Sequence, residues 1–233
     1  MNSLQLLQTP EPQLLDQIST HWTQLQEPVK VLLRYGTAIQ QYLNALLTDS
    51  HVAEEVSQTF LLSVLQRGFP EADPNRGRFR DYLKICVRNA ALDYLRQQRP
   101  MVHGDLTWLE TSGQTDDHGW LDQWRACLLE RTWRALEHYE QQSRGSLAFT
   151  VLQIVGSHPD DDSQTLAERV SQQTGQPLRA DAFRKQLSRA RRKFAQLLVA
   201  EVKKTLHNPD AESVREELAE LGLMSHVGDY LQG

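Results

Sequence analysis

Apolar residues recur at spacings of three and four along most of this chain, and that period constrains the fold more than any other feature. Such spacing places the apolar side chains on one side of an α-helix. The segment LAFTVLQIV suits a buried helix and a strand equally well, and no other segment is a convincing strand. We therefore predict an all-α protein. The predicted helices lie near residues 12–25, 28–48, 51–67, 77–98, 121–142, 146–156, 162–174, 180–206 and 210–222.

The loops between these helices suggest two domains. A chain of 233 residues can form one large domain or two small ones. The stretch HGDLTWLETSGQTDDHG, rich in Gly, Ser, Thr and Asp, marks the main linker. We predict two small helical domains joined by an acidic flexible linker, the second containing a helix-turn-helix. The predicted division is an N-terminal extension 1–27, a first domain 28–100, a linker 101–124, a second domain 125–206 and a C-terminal extension 207–233.

The composition argues against several classes of protein. No apolar run approaches the ~20 residues that span a bilayer, and the N-terminus lacks the basic residues of a secretory signal. Cys86 and Cys127 form no CxxC pair, so neither a zinc site nor a disulfide framework is expected and the cytoplasm is the simplest setting. The P-loop, zinc-protease and serine-hydrolase motifs are absent. We expect no enzyme, no cofactor and no metal site.

Positive charge is concentrated in two islands of a chain whose net charge is −5. From Arg76 to Arg99 there are seven basic residues against two acidic ones, and from Arg184 to Lys193 there are six and none. Residues 101–124 have the opposite sign, with five acidic residues and no Lys or Arg. This asymmetry concerns partners rather than fold, and it favours a polyanionic partner.

The first island lies on a predicted helix. Arg80, Lys84 and Arg88 recur every four residues and are expected to form a positive stripe beside an apolar face. Taken alone, this stripe is also what a solvated helix surface looks like. The three consecutive carboxylates at 160–162 could bind Ca²⁺ or Mg²⁺, but a loop leading into a helix explains them better.

The second island follows a turn. Ser163 or Thr165 is expected to cap one helix, Gly175 to end it, and Asp181 to cap the next. A helix, a short turn and a longer basic helix are the pattern of a helix-turn-helix, whose second helix enters the major groove. Six like charges repel one another unless a polyanion offsets them, so this helix is predicted to bind nucleic acid.

Three stretches resemble one known family. VRNAALDYLRQQR, preceded by GRFRDYLKIC, resembles the signature of bacterial sigma factors of the extracytoplasmic-function (ECF) class, in the sigma-70 superfamily. HVAEEVSQTFLLSVL is similar to the family helix before it, and AFRKQLSRARRKF to the family's second DNA-binding helix. DPNRGRFRDYL together with the long second domain looks like a divergent, planctomycete-like branch. The resemblance covers about 28–100 and 125–205.

The resemblance implies a non-catalytic sigma factor that binds core RNA polymerase and directs promoter recognition and transcription initiation. Residues 28–100 would be a region 2-like domain for the polymerase and the −10 element, and 125–206 a region 4-like domain for the −35 element. The implied −10 contacts are Arg76, Arg78, Arg80, Lys84, Arg88 and Asn89. The implied −35 contacts are Arg184, Lys185, Ser188, Arg189, Arg191 and Arg192. The implied polymerase contacts are Glu54, Glu55 and Gln58.

Other interpretations stay open at this point. A helix-turn-helix transcriptional regulator with an N-terminal sensing domain explains the second basic helix but not the first. A helical scaffold that binds an acidic protein is a third reading. The implied partners are core polymerase and promoter DNA, without membrane insertion, and an anti-sigma factor or another regulatory protein is a further candidate. The C-terminal extension would cover a DNA-binding domain, contact such a partner, or simply pack.

Overall fold

The computed structural model describes residues 28–47, 49–73, 77–98 and 117–228. Within these ranges it contains nine helices and no strand, which confirms the all-α prediction. LAFTVLQIV lies almost entirely in a helix. The predicted helix at 12–25 lies outside the described residues. The helices are α1 Pro28–Leu46, α2 Ser50–Arg67, α3 Phe79–Gln98, α4 Asp117–Gln142, α5 Ala148–Ser157, α6 Ser163–Thr174, α7 Ala180–Lys203, α8 Ala211–Glu220 and α9 Met224–Val227.

The chain divides into two compact units. The first extends to Cys127 and includes 204–209, and the second comprises 128–203 and the residues from Asp210 onward. Helix α4 begins at Asp117, so the last part of the predicted linker 101–124 is helical rather than flexible. The reason is that Trp120 and Trp124, one turn apart, are both buried in the first unit.

The core of the first unit is rich in aromatic residues. The rings of Tyr35 and Trp124 stack with centroids 4.2 Å apart, and Tyr42 meets Trp120 edge to face at 5.0 Å. Burying rings of this size contributes much of a small domain's hydrophobic stabilisation. The first turns of α4 are therefore part of this core.

Helices α2 and α3 pack on α1 and on each other. Asp49 caps α2 by accepting hydrogen bonds from the backbone N–H groups of His51 and Val52, at 2.8 and 3.4 Å. Gly68 ends the helix with φ = +66°, a conformation that favours glycine. Phe69 and Phe79 then meet edge to face at 5.5 Å and hold the two ends of the loop together.

Helix α7 is the centre of the second unit. Its apolar side packs against α5, α6, α8 and α9, and Phe194 lies 5.2 Å from Trp133 of α4 between ring centroids. This core contains an ion pair between Arg131 Nε and Glu201 Oε2, which are 3.1 Å apart and almost fully buried. Each helix of the unit thus covers part of α7.

The C-terminal extension packs against α7. Asp210 and Ser213 form a reciprocal capping box at the start of α8. Gly222, at φ = +66°, lets the chain turn so that the Leu223 N–H donates to the Leu218 carbonyl at 2.8 Å. The buried apolar residues of this segment are Val214, Leu218, Leu221, Leu223 and Val227.

We predict that Trp124→Ala destabilises the first unit by about 3–5 kcal/mol, because it leaves a large cavity against Tyr35. Urea unfolding followed by circular dichroism measures the change. Ala126→Ser, at an exposed position of the same helix, is the matched control and is expected to cost under about 1 kcal/mol. Equal effects of the two substitutions would contradict the placement of α4 in this core.

Candidate nucleic-acid and polymerase interfaces

The turn between α6 and α7 is fixed by its own hydrogen bonds. The Leu178 N–H donates to Ser171 Oγ at 2.8 Å, and that hydroxyl donates to the Ala167 carbonyl at 2.7 Å. Gly175 ends α6 in the left-handed conformation, at φ = +69°, as predicted. These bonds define the direction in which α7 leaves the turn.

The predicted caps of both helices are wrong by one or more residues. Asp162, not Ser163 or Thr165, caps α6 by accepting from two backbone N–H groups. These bonds, with that from Thr165 first, lower the pKa of Asp162. Helix α7 begins at Ala180, so Asp181 lies in its first turn rather than at the cap. Asp161 pairs with Arg169 at 2.6 Å, so two of the three consecutive carboxylates have structural partners.

All six predicted −35 residues are exposed on α7. At 100° per residue they fall within an arc of about 160°. We call this set the α7 basic face: Arg184, Lys185, Ser188, Arg189, Arg191 and Arg192. Lys193 lies beyond its edge, with its ammonium 4.1 Å from the centroid of the Tyr139 ring. The structure therefore brings together every residue predicted for this site.

The acidic residues of α7 do not neutralise this face. Glu201 is buried with Arg131, and Asp181 lies 3.7 Å from Arg179 in the preceding turn. Within the described ranges, no ion pair involves the five cations of the α7 basic face. Arg179, whose side chain is 91% exposed, is a further cation beside the face that the sequence analysis missed. Its position in QPLRAD, just before the basic helix, was the available signal.

The predicted stripe on α3 is only partly at the surface. Arg78, Lys84 and Arg88 are half-buried and Asn89 is exposed, whereas Arg76 lies outside the described residues. Arg80 is 1% exposed, so its predicted contact with DNA phosphates is wrong for this conformation.

The four-residue spacing of the basic residues explains why Arg80 is buried. Because an α-helix has 3.6 residues per turn, each step of four residues rotates the position by about 40° around the helix axis. Arg80 consequently lies almost above Val87, seven residues on, which is fully buried. Arg88, two steps further along the repeat, is turned away from the core.

The outward side of α3 has an apolar residue at its centre. Ile85 is 58% exposed, and Asp81 and Asn89, one turn before and after it, are exposed too. Lys84 and Arg88 lie together along one side of this line. We call Lys84, Ile85, Arg88 and Asn89 the α3 face. It combines an amide and an apolar side chain with cations at the edge, a mixture that suits a base better than a run of phosphates.

The predicted polymerase contacts lie together on the exposed side of α2. The Gln58 amide donates to Glu54 Oε1 at 3.2 Å, and the Tyr94 hydroxyl of α3 donates to Glu55 Oε2 at 2.6 Å. Leu62 and Leu65 are 57% and 44% exposed further along the helix. We call the five residues Glu54, Glu55, Gln58, Leu62 and Leu65 the α2 face.

The two leucines were missed by the sequence analysis. They fall outside the core spacing of Val56, Phe60 and Val64, and that offset was the signal for their exposure.

Tyr82 is half-buried and lies at the edge of the aromatic cluster formed by Phe69 and Phe79. Its ring lies 6.0 Å from that of Phe69 and 6.5 Å from that of Phe79. Burial, then the hydrogen bond with Cys86, raises the pKa of Tyr82. Burial likewise raises the pKa of the Cys86 thiol. Both groups therefore stay protonated at neutral pH, and neither is a candidate nucleophile.

These observations define an all-α chain with a basic helix after a short turn in one unit and two exposed polar faces in the other. Residues 31–100 match the family model described as Sigma-70 region 2. A search of curated proteins and a search of solved structures each gave no match. The family match covers under a third of the chain and includes all of α2 and α3. No helix in the described ranges is long and apolar enough to cross a membrane.

Asp162 makes the stability of the second unit depend on acid pH. Its pKa is lowered below the ordinary 3.8 in the folded state, so its stabilising effect is present above that value and lost as pH falls through the folded pKa. We expect Asp162→Asn to keep the cap but to weaken this acid dependence, and Asp162→Ala to lower the melting temperature at pH 7. Thermal melts from pH 7 to 2 measure both, with Asp160→Ala as the control. A wild-type profile in Asp162→Asn would refute this role.

Proposed function

We propose that this chain is a sigma factor of the ECF class that binds core RNA polymerase and directs promoter recognition and transcription initiation. The observation that carries the proposal is the Sigma-70 region 2 match over the helices that bear the α2 and α3 faces. Assignment to the ECF class and to a planctomycete-like branch rests on RNAALDYLR and DPNRGRFRDYL.

The α2 face is the proposed docking surface for core polymerase. Its N-terminal half presents two carboxylates and an amide, and its C-terminal half presents two exposed leucines. An apolar centre beside a polar edge is the usual anatomy of a protein interface. Basic side chains of the polymerase would meet Glu54 and Glu55, and apolar ones would cover Leu62 and Leu65.

The α3 face is the proposed contact with the opened −10 element. Separating the strands exposes bases whose unstacking costs a few kcal/mol, and contacts to base and backbone must offset that cost. Asn89 can hydrogen-bond a base edge, while Lys84 and Arg88, with Arg78 at the start of the helix, would hold phosphates.

The α7 basic face is the proposed contact with the −35 element, with α6 and α7 as its helix-turn-helix. Arg184, Lys185 and Ser188 would reach base edges or the phosphates beside them, because they lie nearest the N-terminus of the recognition helix. Arg189, Arg191 and Arg192 would bind phosphates. A regulatory protein of the anti-sigma type would act by covering one of these three faces.

A helix-turn-helix regulator with a sensing domain is the alternative function. The basic α7 would serve such a protein equally well, but this function would not explain the region 2 match. Co-purification with core polymerase in the absence of DNA separates the two. The sigma factor binds the enzyme, and failure of the purified proteins to associate would favour the regulator.

We predict that Leu62→Arg weakens association with core polymerase at least tenfold, because it places a charge in the apolar half of the α2 face. Val29→Arg is the matched control, since Val29 is also an exposed apolar residue but lies on α1. Binding of labelled protein to core polymerase without DNA gives both dissociation constants. Equal losses in the two variants, or none in Leu62→Arg, would count against this docking surface.

For the α7 basic face, Arg184→Ala is expected to weaken −35-dependent DNA binding about fivefold to a hundredfold, with unchanged affinity for core polymerase. Arg144→Ala, an exposed arginine outside the face, should bind DNA as the wild type does. If about six phosphates are neutralised, log K should fall with log salt at a slope of about −5. A loss of polymerase binding in Arg184→Ala would contradict the assignment.

A further inference from the structure

One side-chain hydrogen bond connects the two proposed functional helices of the first unit. The Tyr94 hydroxyl on α3 donates to Glu55 Oε2 on α2 at 2.6 Å, across 39 residues of sequence. A hydroxyl that donates to a carboxylate at this distance forms a short, charge-assisted bond, which is stronger than a neutral one. The bond fixes a glutamate that would otherwise sample many rotamers at an exposed position.

The restraint matters because exposed glutamates lose conformational entropy when a partner orders them. Ordering a flexible side chain at an interface costs about 0.5–1.5 kcal/mol, and a side chain held in advance avoids much of that cost. The neighbouring Glu54 is restrained in a similar way by Gln58, one turn along α2. Both carboxylates of the α2 face are therefore already oriented before a partner arrives.

We propose that Tyr94 is a positioning residue for polymerase docking. Its hydroxyl holds one oxygen of Glu55, so that the other accepts a hydrogen bond from a basic side chain of the partner. The inference rests on the proposed function, because it takes the α2 face as the docking surface. It assigns Tyr94, a half-buried residue of α3, a role in binding.

The position of Tyr94 on α3 keeps this role separate from DNA contact. Ile85, at the centre of the α3 face, precedes Tyr94 by nine residues, or two and a half turns, and so lies on the opposite side of the helix. Removing the Tyr94 hydroxyl therefore leaves the α3 face in place. Its effect should fall on the polymerase and not on the opened DNA.

The test is a double-mutant cycle of Tyr94→Phe and Glu55→Gln in the full chain, with the dissociation constant for core polymerase as the readout. Tyr94→Phe should weaken binding about twofold to tenfold, because the partner must then order the Glu55 side chain itself. Glu55→Gln should weaken it at least about tenfold, as expected for loss of a hydrogen bond to a charged group. The double variant should bind no more weakly than Glu55→Gln, because Tyr94 acts only through Glu55. Tyr82→Phe, which removes a hydroxyl paired with Cys86 on the same helix, is the control and should bind like the wild type.

Other outcomes overturn the inference in distinguishable ways. Wild-type affinity in Tyr94→Phe refutes it. If the role of Tyr94 were purely structural, Tyr94→Phe would lower the melting temperature. It would also weaken binding by the same factor in the wild type and in the Glu55→Gln background, so that the two losses would be additive. If the wild-type chain fails to bind core polymerase, the proposed function itself fails. If the wild-type chain binds and Tyr94→Phe does not change the affinity, only the positioning role is refuted.

Discussion

The second unit is built around α7, which is apolar on one side and cationic on the other. One side is covered by helices that pack against Phe183, Phe194 and Leu198, and it buries the carboxylate of Glu201 beside Arg131. The other side carries five cations close together, whose mutual repulsion opposes folding. Burial on the apolar side offsets that repulsion. The helix can then present uniform positive charge, the surface that the proposed contact with DNA requires.

In the first unit, two neighbouring helices carry exposed faces of different chemistry. The α2 face is acidic and apolar, while the α3 face is cationic along one edge and has an amide and an isoleucine at its centre. Under the proposed function, this difference would keep polymerase and DNA from competing for one surface. The hydrogen bond from Tyr94 to Glu55 ties the helices together at 2.6 Å. The aromatic core beneath them, which includes Trp124, supplies the rigidity that such a site needs.

Much of this architecture could be predicted from the sequence, because helical periodicity is a local signal. Period, charge and turn residues predicted α2, α3 and the α6–α7 pair closely, and every residue of the α7 basic face is exposed. What the sequence could not give depends on tertiary packing. The acidic composition around Trp120 and Trp124 indicated a linker, yet these indoles pack against α1. Arg80 fits a surface repeat, but the drift of that repeat turns it into the core. Leu62 and Leu65 were available from the sequence, because they fall outside the core spacing of their helix.

Transcription from a start site tests the central claim most directly. Purified protein and core polymerase would be incubated with a library of linear genomic templates, and run-off products would be sequenced. The account predicts transcripts that begin downstream of a shared pair of DNA elements and that are absent when the protein is omitted. Core polymerase that gives the same products with and without the protein, on every template, would contradict it.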